Sequence, residues 1–361
     1  MDNVPNFTPF SQILGQDRAV NFLKGVLTKG KIPHAYLFAG IPGVGKTATA
    51  LALTRAINCH EPKNPEGCGR CQSCRQIMSG NFPDLVSIEP AGQNIKIEQI
   101  RDLNRTLCFK PVSGKYRVSL VHQAETMTAE AANSFLKTLE EPPQNNILIL
   151  SVTEPLALLP TIVSRCQKVF FRPLSVKAIA QWLMDKKNVE KEMASVLAKI
   201  CEGSLGRAVH MCESDFLEKR QAYLFRLLQL PGLTPDEGLE MALEYTGKSK
   251  KKDPDVLGKS NTALFDLLST WKTWYRDLLL MKADCPADQL INIDFSQKLK
   301  NISKNVKIVD LINSFFAVDQ AQRDLLRTRN SDLMMENTVL TLKRLAGQKD
   351  SGESEIIRSN E

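Results

Sequence analysis

The sequence predicts an α/β fold, a parallel sheet flanked by helices, followed by a small and then a larger all-helical part. Three observations predict it. Short apolar runs alternate with helical patterns over residues 1–170, a phosphate-loop motif joins one such run to a helix, and the strand signal stops after Pro173. The runs are Tyr36–Phe38, Leu85–Ile88, Val118–Val121, Ile147–Leu150 and Val169–Phe171, rich in β-branched and aromatic residues. Strand–helix alternation gives a parallel sheet with helices on both faces. Between the third and fourth runs, Ala132, Phe135, Leu136 and Leu139 fall at i, i+3, i+4 and i+7, one apolar stripe of a helix over Ala131–Glu141. Thr128 suits its N-cap, and Pro142-Pro143 ends it by removing donors and clashing with the preceding turn. The phosphate-loop helix is expected over Ala48–Ile57. Residues 175–210 read as short helices ending near Gly203 and Gly206. From about 214 to 345 the pattern is helical, broken at Pro231-Gly232 and at the polar loop Lys248–Pro254. Gly347–Glu361 is polar and unpatterned, and is expected to be disordered.

The chain has 361 residues, which suggests two or three domains. With 43% apolar and 24% charged residues, wholesale disorder and a collagen-like fibre are excluded. No stretch approaches the ~18 unbroken apolar residues of a membrane span. The opening MDNVPNFTPF lacks a basic segment followed by an apolar one, so a soluble, cytoplasmic protein without membrane contact is expected. Lys and Arg number 47 against 40 Asp and Glu, a net +7, compatible with nucleic acid nearby.

Gly40-Ile41-Pro42-Gly43-Val44-Gly45-Lys46-Thr47 matches G-x-x-x-x-G-K-[ST] in full. Its glycines let the backbone curl so that N–H groups meet phosphate oxygens, and the helix that follows adds partial positive charge. Lys46 suits the β- and γ-phosphates of ATP, and Thr47 suits Mg²⁺. Hydrolysis also needs a carboxylate near the metal and a group that orients water. These belong at the end of a neighbouring strand, and after Val118–Val121 stand His122 and Gln123, neither of them acidic. Glu125 is the nearest acid; past the strand end, it is expected to turn toward the next helix. The expectation is ATP or ADP binding with weak or absent hydrolysis. Position 123 as Gln loses a general base, a loss of 10²–10⁴ in rate on typical magnitudes.

Cys59, Cys68, Cys71 and Cys74 are spaced C-x8-C-x2-C-x2-C in one insert. Two-residue gaps turn neighbouring thiolates toward one ion, and Gly67 and Gly69 permit the tight backbone. Four thiolates make a closed tetrahedral Zn²⁺ site with a structural role; an iron–sulfur cluster or unrelated thiols are the alternatives. His60 is a competing ligand by position, although its adjacency to Cys59 favours a bystander. The other five cysteines, Cys108, Cys166, Cys201, Cys212 and Cys285, are expected to be small core residues.

Phe10-Ser11-Gln12-Ile13-Leu14-Gly15-Gln16, the phosphate loop, the cysteine insert, Asn133 through Pro143 (NSFLKTLEEPP) and Ser164-Arg165-Cys166 occur in that order. Together they resemble the bacterial DNA polymerase III clamp-loader family of AAA+ proteins, most closely its delta-prime branch. The resemblance is strong over about residues 7–173 and loosest in the C-terminal helices. It implies an AAA+ nucleotide-binding domain at 1–173 with a zinc module at 58–75. A helical lid at 174–212, a helical collar at 213–346 and the tail at 347–361 follow. It implies that Arg165 reaches a neighbouring subunit's ATP in trans and that Thr153 is the first sensor. The family's second sensor is an arginine in Gly-Ser-x-Arg; here Gly203-Ser204-Leu205-Gly206-Arg207 places glycine at that position and Arg207 one later. Motor subunits of the family carry Asp-Glu where His122-Gln123 stand. A subunit without its own catalytic carboxylates that keeps Arg165 fits a stationary role. The partners implied are the gamma/tau motor subunits, the delta subunit, the sliding clamp and, through the complex, primed DNA. The alternatives are an active gamma/tau-like motor ATPase and a zinc-containing AAA+ regulator that binds nucleic acid alone.

Remaining signals have plain readings. Lys248-Ser249-Lys250-Lys251-Lys252 reads as a solvated loop. Trp271, Trp274 and Tyr275 share helical spacing with Leu267, Leu268 and Leu278, which favours packing over base stacking. Arg323, Arg327 and Arg329 are expected on a helix face, at a subunit contact or in water. No Ser–His–Asp or Cys–His constellation emerges, and nothing resembles polymerase or exonuclease chemistry.

Overall fold

Three segments, Ala35–Ala39 (β1), Arg117–Val121 (β3) and Asn146–Val152 (β4), are buried at every position. Strands covered on both faces belong in the middle of a parallel sheet. In the computed structural model they lie there, in the order β2-β3-β4-β1-β5, all parallel. Leu85–Ile88 (β2) and Gln167–Phe170 (β5) form the half-exposed edges. The description covers residues 7–61, 65–214, 216–247, 261–286, 289–326 and 330–346. The Lys248–Lys252 run, Arg327, Arg329 and the 347–361 tail lie outside the described residues.

The helices, in chain order, are Asp17–Lys29 (α1), Lys46–Asn58 (α2), Gln72–Met78 (α3), Ile97–Leu107 (α4), Ala129–Glu140 (α5), Pro160–Val163 (α6), Val176–Lys187 (α7), Lys191–Ile200 (α8) and Leu205–Glu213 (α9). Phe216–Gln229 (α10), Pro235–Thr246 (α11), Asn261–Lys282 (α12), Ser296–Asn305 (α13), Ile308–Leu326 (α14) and Ser331–Ala346 (α15) follow. The described residues form two compact units. One runs through Asn188 and includes Cys201–Val209; the other comprises Val189–Ile200 and the residues from His210 onward.

Alternation along the strands builds two cores in the first unit. Leu37, Leu148 and Leu150 pack with Ile100 and Leu103 of α4 and Phe135 and Leu139 of α5. Tyr36, Phe38, Ile147 and Ile149 pack with Val20 and Leu23 of α1 and Ala50 and Leu53 of α2. Thr128 caps α5 through Ala131 N–H at 3.3 Å, as expected. Three details differ from the sequence reading. The last strand ends at Phe170, while Phe171 N–H donates to the Ala39 carbonyl at 2.7 Å just beyond it. The phosphate-loop helix begins at Lys46, two residues early, because the loop's N–H groups are already turned as a helix start. Gly206 does not end a helix; it lies in the first turn of α9, where a close backbone approach requires it.

A buried ion pair fixes the loop before β3. Asp84, fully buried, accepts from the N–H groups of Val112, Ser113 and Gly114, each at 2.7 Å. Arg117, 4% exposed, lies 3.6 Å from it and donates to the carbonyls of Thr106, Phe109 and Lys110.

In the second unit, Trp271 and Trp274 are core residues, as their spacing indicated. Trp271 Nε1 donates to the Tyr223 carbonyl at 3.1 Å, and the ring meets Tyr245 edge-on at 5.7 Å. Tyr275 is buried beside them. Arg323 pairs with Asp319 on α14. Of the scattered cysteines, Cys166 and Cys201 are buried, Cys212 and Cys285 half-buried. Cys108 is exposed, contrary to expectation, because it sits at the C-cap of α4 on the face away from Leu103 and Leu107. Among the described residues no helix is long and apolar enough to cross a membrane.

Replacing Asp84 by Ala removes the acceptor of three loop N–H groups and strands a buried guanidinium. Losing one partner of such a pair costs about 3–5 kcal/mol. Urea unfolding of Asp84→Ala is expected to show a loss of that size in the sheet-containing unit.

Candidate nucleotide site and metal centre

The phosphate loop spans the C-terminal end of β1 and the start of α2, between strands β4 and β5. Each carbonyl from residue 40 to 44 is held by a donor. Lys46 Nζ donates to Gly40 and to Ile41, the latter at 2.9 Å. Ser204 Oγ donates to Pro42 at 2.8 Å, and Gly206 N–H donates to Gly43 at 2.8 Å. Gln16 Nε2 donates to Val44 at 3.3 Å. In a planar trans peptide the following N–H points the opposite way. Engaging the carbonyls therefore turns the N–H groups of Ile41, Gly43, Val44 and Gly45 away from those partners, as a nest for anionic oxygens requires. Gly43 (φ +71°) and Gly45 (φ +108°) adopt the left-handed backbone this requires.

Two contacts explain the residue choice. A side chain at 43 would come within 2.4 Å of Ser204 Oγ, and one at 206 within 2.9 Å of Gly43 Cα. Glycine at 206 is thus demanded by the contact itself, and Arg207 follows with its N–H on Ser204 Oγ at 3.1 Å. Gln16, 3% exposed, also donates to the Arg172 carbonyl at 2.7 Å and accepts from its N–H at 3.0 Å. Its amide ties the loop to the end of β5. Gln16 and Ser204 are site residues that sequence reasoning did not single out; they appeared only inside longer motifs.

Lys46 is 9% exposed, and burial pulls its ammonium down to about 8, against a smaller upward pull from Glu125. Thr47 lines a cavity of about 510 Å³ with Ser87, Glu89, Leu120 and His122. His122 Nε2 lies 3.0 Å from Ser87 Oγ, its charged form disfavoured chiefly by burial. Gln123 is exposed at φ +47°. Neither position supplies an acid. Glu125 does not turn toward α5. It reaches to the end of β4, where Oε1 accepts from Thr153 N–H at 3.0 Å and Thr153 Oγ1 at 2.9 Å. The short 3₁₀ turn at Ala124–Thr126 folds it back. Arg165, just after α6, bonds Glu140 Oε1 at 2.6 Å and the Thr161 carbonyl at 2.9 Å.

In the insert after α2, the four sulfurs of Cys59, Cys68, Cys71 and Cys74 lie within 4.8 Å of one another. Cys68 and Cys74 Sγ are 4.0 Å apart. Tetrahedral zinc with bonds of ~2.3 Å places sulfurs about 3.8 Å apart, so the group fits that ion. Backbone N–H groups of Arg70 and Cys71 pull Cys68 down to about 6, favouring thiolate, while burial raises Cys74. Gly67 and Gly69 take φ of +77° and +71°. His60 is engaged elsewhere, with Nε2 3.2 Å from Ser73 Oγ. Arg55 of α2 anchors the insert by donating to the Glu66 carbonyl at 2.7 Å.

A phosphate loop at the end of a parallel strand, opening a helix that leads directly into a four-cysteine knot, defines a P-loop α/β protein with an inserted four-cysteine module. The family model described as DNA polymerase III, delta subunit, matches residues 15–175. The chain is 31% identical over 331 residues to DNA polymerase III subunit delta' of Bacillus subtilis (strain 168), covering 91% of this chain and 96% of that one. The chain belongs to the DNA polymerase III delta-prime family. DNA polymerase III subunit tau of Escherichia coli (strain K12) is 35% identical over 209 residues, 56% of this chain but 32% of that longer protein. A solved gamma subunit-related protein from Thermotoga maritima is similar at TM-score 0.46 and 20% identity, over 90% of this chain and 99% of that one.

Two outcomes follow from this geometry. Purified protein is expected to carry about one zinc per chain by elemental analysis, and Cys68→Ser to lose it with a melting point several degrees lower. Lys46 sheds its proton as pH rises through about 8. ATP affinity in a fluorescence titration is therefore expected to weaken between pH 7.5 and 9.5, by up to about tenfold per pH unit. A flat profile would show that the ammonium does not contribute.

Proposed function

We propose that this chain is the stationary delta-prime-type subunit of a cytoplasmic clamp loader. It helps to place the sliding clamp on primed DNA beside gamma/tau motor subunits and a delta subunit. In this reading the first unit holds Mg²⁺–ATP or ADP in the nest formed by Gly40, Pro42, Gly43, Val44, Gly45, Lys46 and Thr47, with Thr153 next to it. Hydrolysis there is weak or absent. Zinc at the four cysteines is structural, since four thiolates leave no open position. Residues 174–212 serve as the lid and 213–346 as the collar.

One observation carries the reading: the cradle is complete while the two positions after β3 hold imidazole and carboxamide. His122 is occupied with Ser87, and Gln123 points its backbone into a left-handed turn. Arg165, with its side chain 36% exposed, sits at the surface on a single carboxylate partner, Glu140. An exposed pair of this kind holds weakly, worth about 0–1 kcal/mol, so the guanidinium is available to a stronger anion. A fork of donors suits the transferring phosphate of a neighbour's ATP, where a trans arginine contributes 10³–10⁵ in typical cases. A second reading, an active motor, draws on Glu125, which accepts from Thr153 at the end of β4.

Reconstitution separates the two. In the complex, Arg165→Ala in this chain is expected to cut DNA-stimulated ATP turnover at least about tenfold, while Lys46→Ala in this chain leaves most of it. The reverse pattern supports the motor.

A further inference from the structure

Among the described buried groups of the first unit that keep an unpartnered atom, Glu125 is the carboxylate. Its Oε1 is fully engaged by Thr153, through N–H at 3.0 Å and Oγ1 at 2.9 Å. Its Oε2 is shielded from solvent and has no hydrogen-bond partner among the described residues. Buried polar atoms are satisfied almost everywhere in folded proteins, and a carboxylate oxygen left alone asks for a cation or a donor. The neighbouring cation does not supply one. Lys46 feels the carboxylate's charge, yet its Nζ is spent on the Gly40 and Ile41 carbonyls. Thr153 follows β4, and β4 lies between β1, which carries the phosphate loop, and β3. Glu125 leaves β3 and crosses to β4, one strand from the loop, close enough for its charge to act on Lys46. An inert tether would not need a charged, half-satisfied group here.

We propose that Glu125, oriented by Thr153, is the acidic member of this chain's nucleotide site and couples triphosphate binding to the divalent cation. The sequence offers no acid at 122 or 123, and this carboxylate takes the place from three residues further on. The proposal rests on the reading that the loop binds a triphosphate. It makes Glu125 a positioning residue for the cation, and by itself it assigns no turnover.

Glu125→Gln tests it, because the amide oxygen still accepts from Thr153 while the charge is lost. The affinity of the full chain for ATP is measured by calorimetry with Mg²⁺ and with EDTA, alongside melting temperature without nucleotide. Wild-type protein is expected to bind ATP more tightly with Mg²⁺. Glu125→Gln is expected to lose at least about tenfold of that gain, with unchanged or tighter binding in EDTA, since a like charge has gone. An intact Mg²⁺ gain in Glu125→Gln overturns the proposal alone. An equal loss with Mg²⁺ and with EDTA overturns it too, since a structural tether would act on both. Wild-type protein that binds no ATP under either condition overturns the nucleotide reading and this inference with it. If Glu125→Gln lacks a cooperative melt, Thr153→Val decides. Releasing one hold on the carboxylate is expected to shrink the Mg²⁺ gain at least about threefold, and an unchanged gain overturns the proposal.

Discussion

A peptide group cannot turn its carbonyl without turning the next N–H the other way, and the first unit is arranged around that coupling. Lys46, Ser204, Gly206 and Gln16 hold the carbonyls of residues 40–44. The N–H groups that follow them are left as a row of donors. The loop's shape is therefore imposed by its surroundings as much as by its glycines. Gly15 packs against Leu174, and Leu174 N–H donates to the Gly203 carbonyl at 2.9 Å. Segments at 15, 43, 174 and 204 thus share one joint, and a change in any of them reaches the phosphate nest through backbone contacts.

Much of this was readable from the chain because the signals are local. Ile147–Leu150 is uniformly apolar and could only be an interior strand. The phosphate loop and the cysteines carry their chemistry in spacing, and Thr128 and Pro142 punctuate α5 from within a few residues. What was not readable depends on contacts across long separations. Gln16 meets Arg172, 156 residues away, and Ser204 meets Pro42, 162 residues away. Nothing in a glutamine among polar neighbours announces such a partner. Glu125 was misplaced because a 3₁₀ turn reverses the chain after β3, and 3₁₀ turns have little sequence signature. Gly206 was read as a stop when its role is steric, set by a backbone 163 positions earlier in the chain.

The cysteine insert and Arg165 show two kinds of order. Arg55 binds the Glu66 carbonyl from a buried position on α2, so the cysteine insert is fixed to the helix that starts at the phosphate loop. A knot fastened there is part of the frame. Arg165 is held by partners at the surface, one carboxylate and one carbonyl. The first arrangement resists movement, and the second yields to a better ligand. That contrast follows from burial: a guanidinium hydrogen-bonded out of water is costly to strand, and an exposed ion pair is cheap to break.

Lys46 brings the two halves of the argument together. Its depressed proton affinity means that keeping it charged at neutral pH costs the folded state on the order of 3 kcal/mol. Loop carbonyls and the nearby Glu125 offset part of this, but a neutral side chain of similar length would avoid it altogether. A structure that merely needed a turn between β1 and α2 could hold those two carbonyls with a neutral donor. The expense is repaid only when an anion enters the nest, where the ammonium can leave the Gly40 and Ile41 carbonyls for phosphate oxygens. Stability is therefore given up in the empty loop for affinity in the filled one. That balance supports the proposed role of the loop as an anion site, whatever its acidic residues permit it to do afterwards.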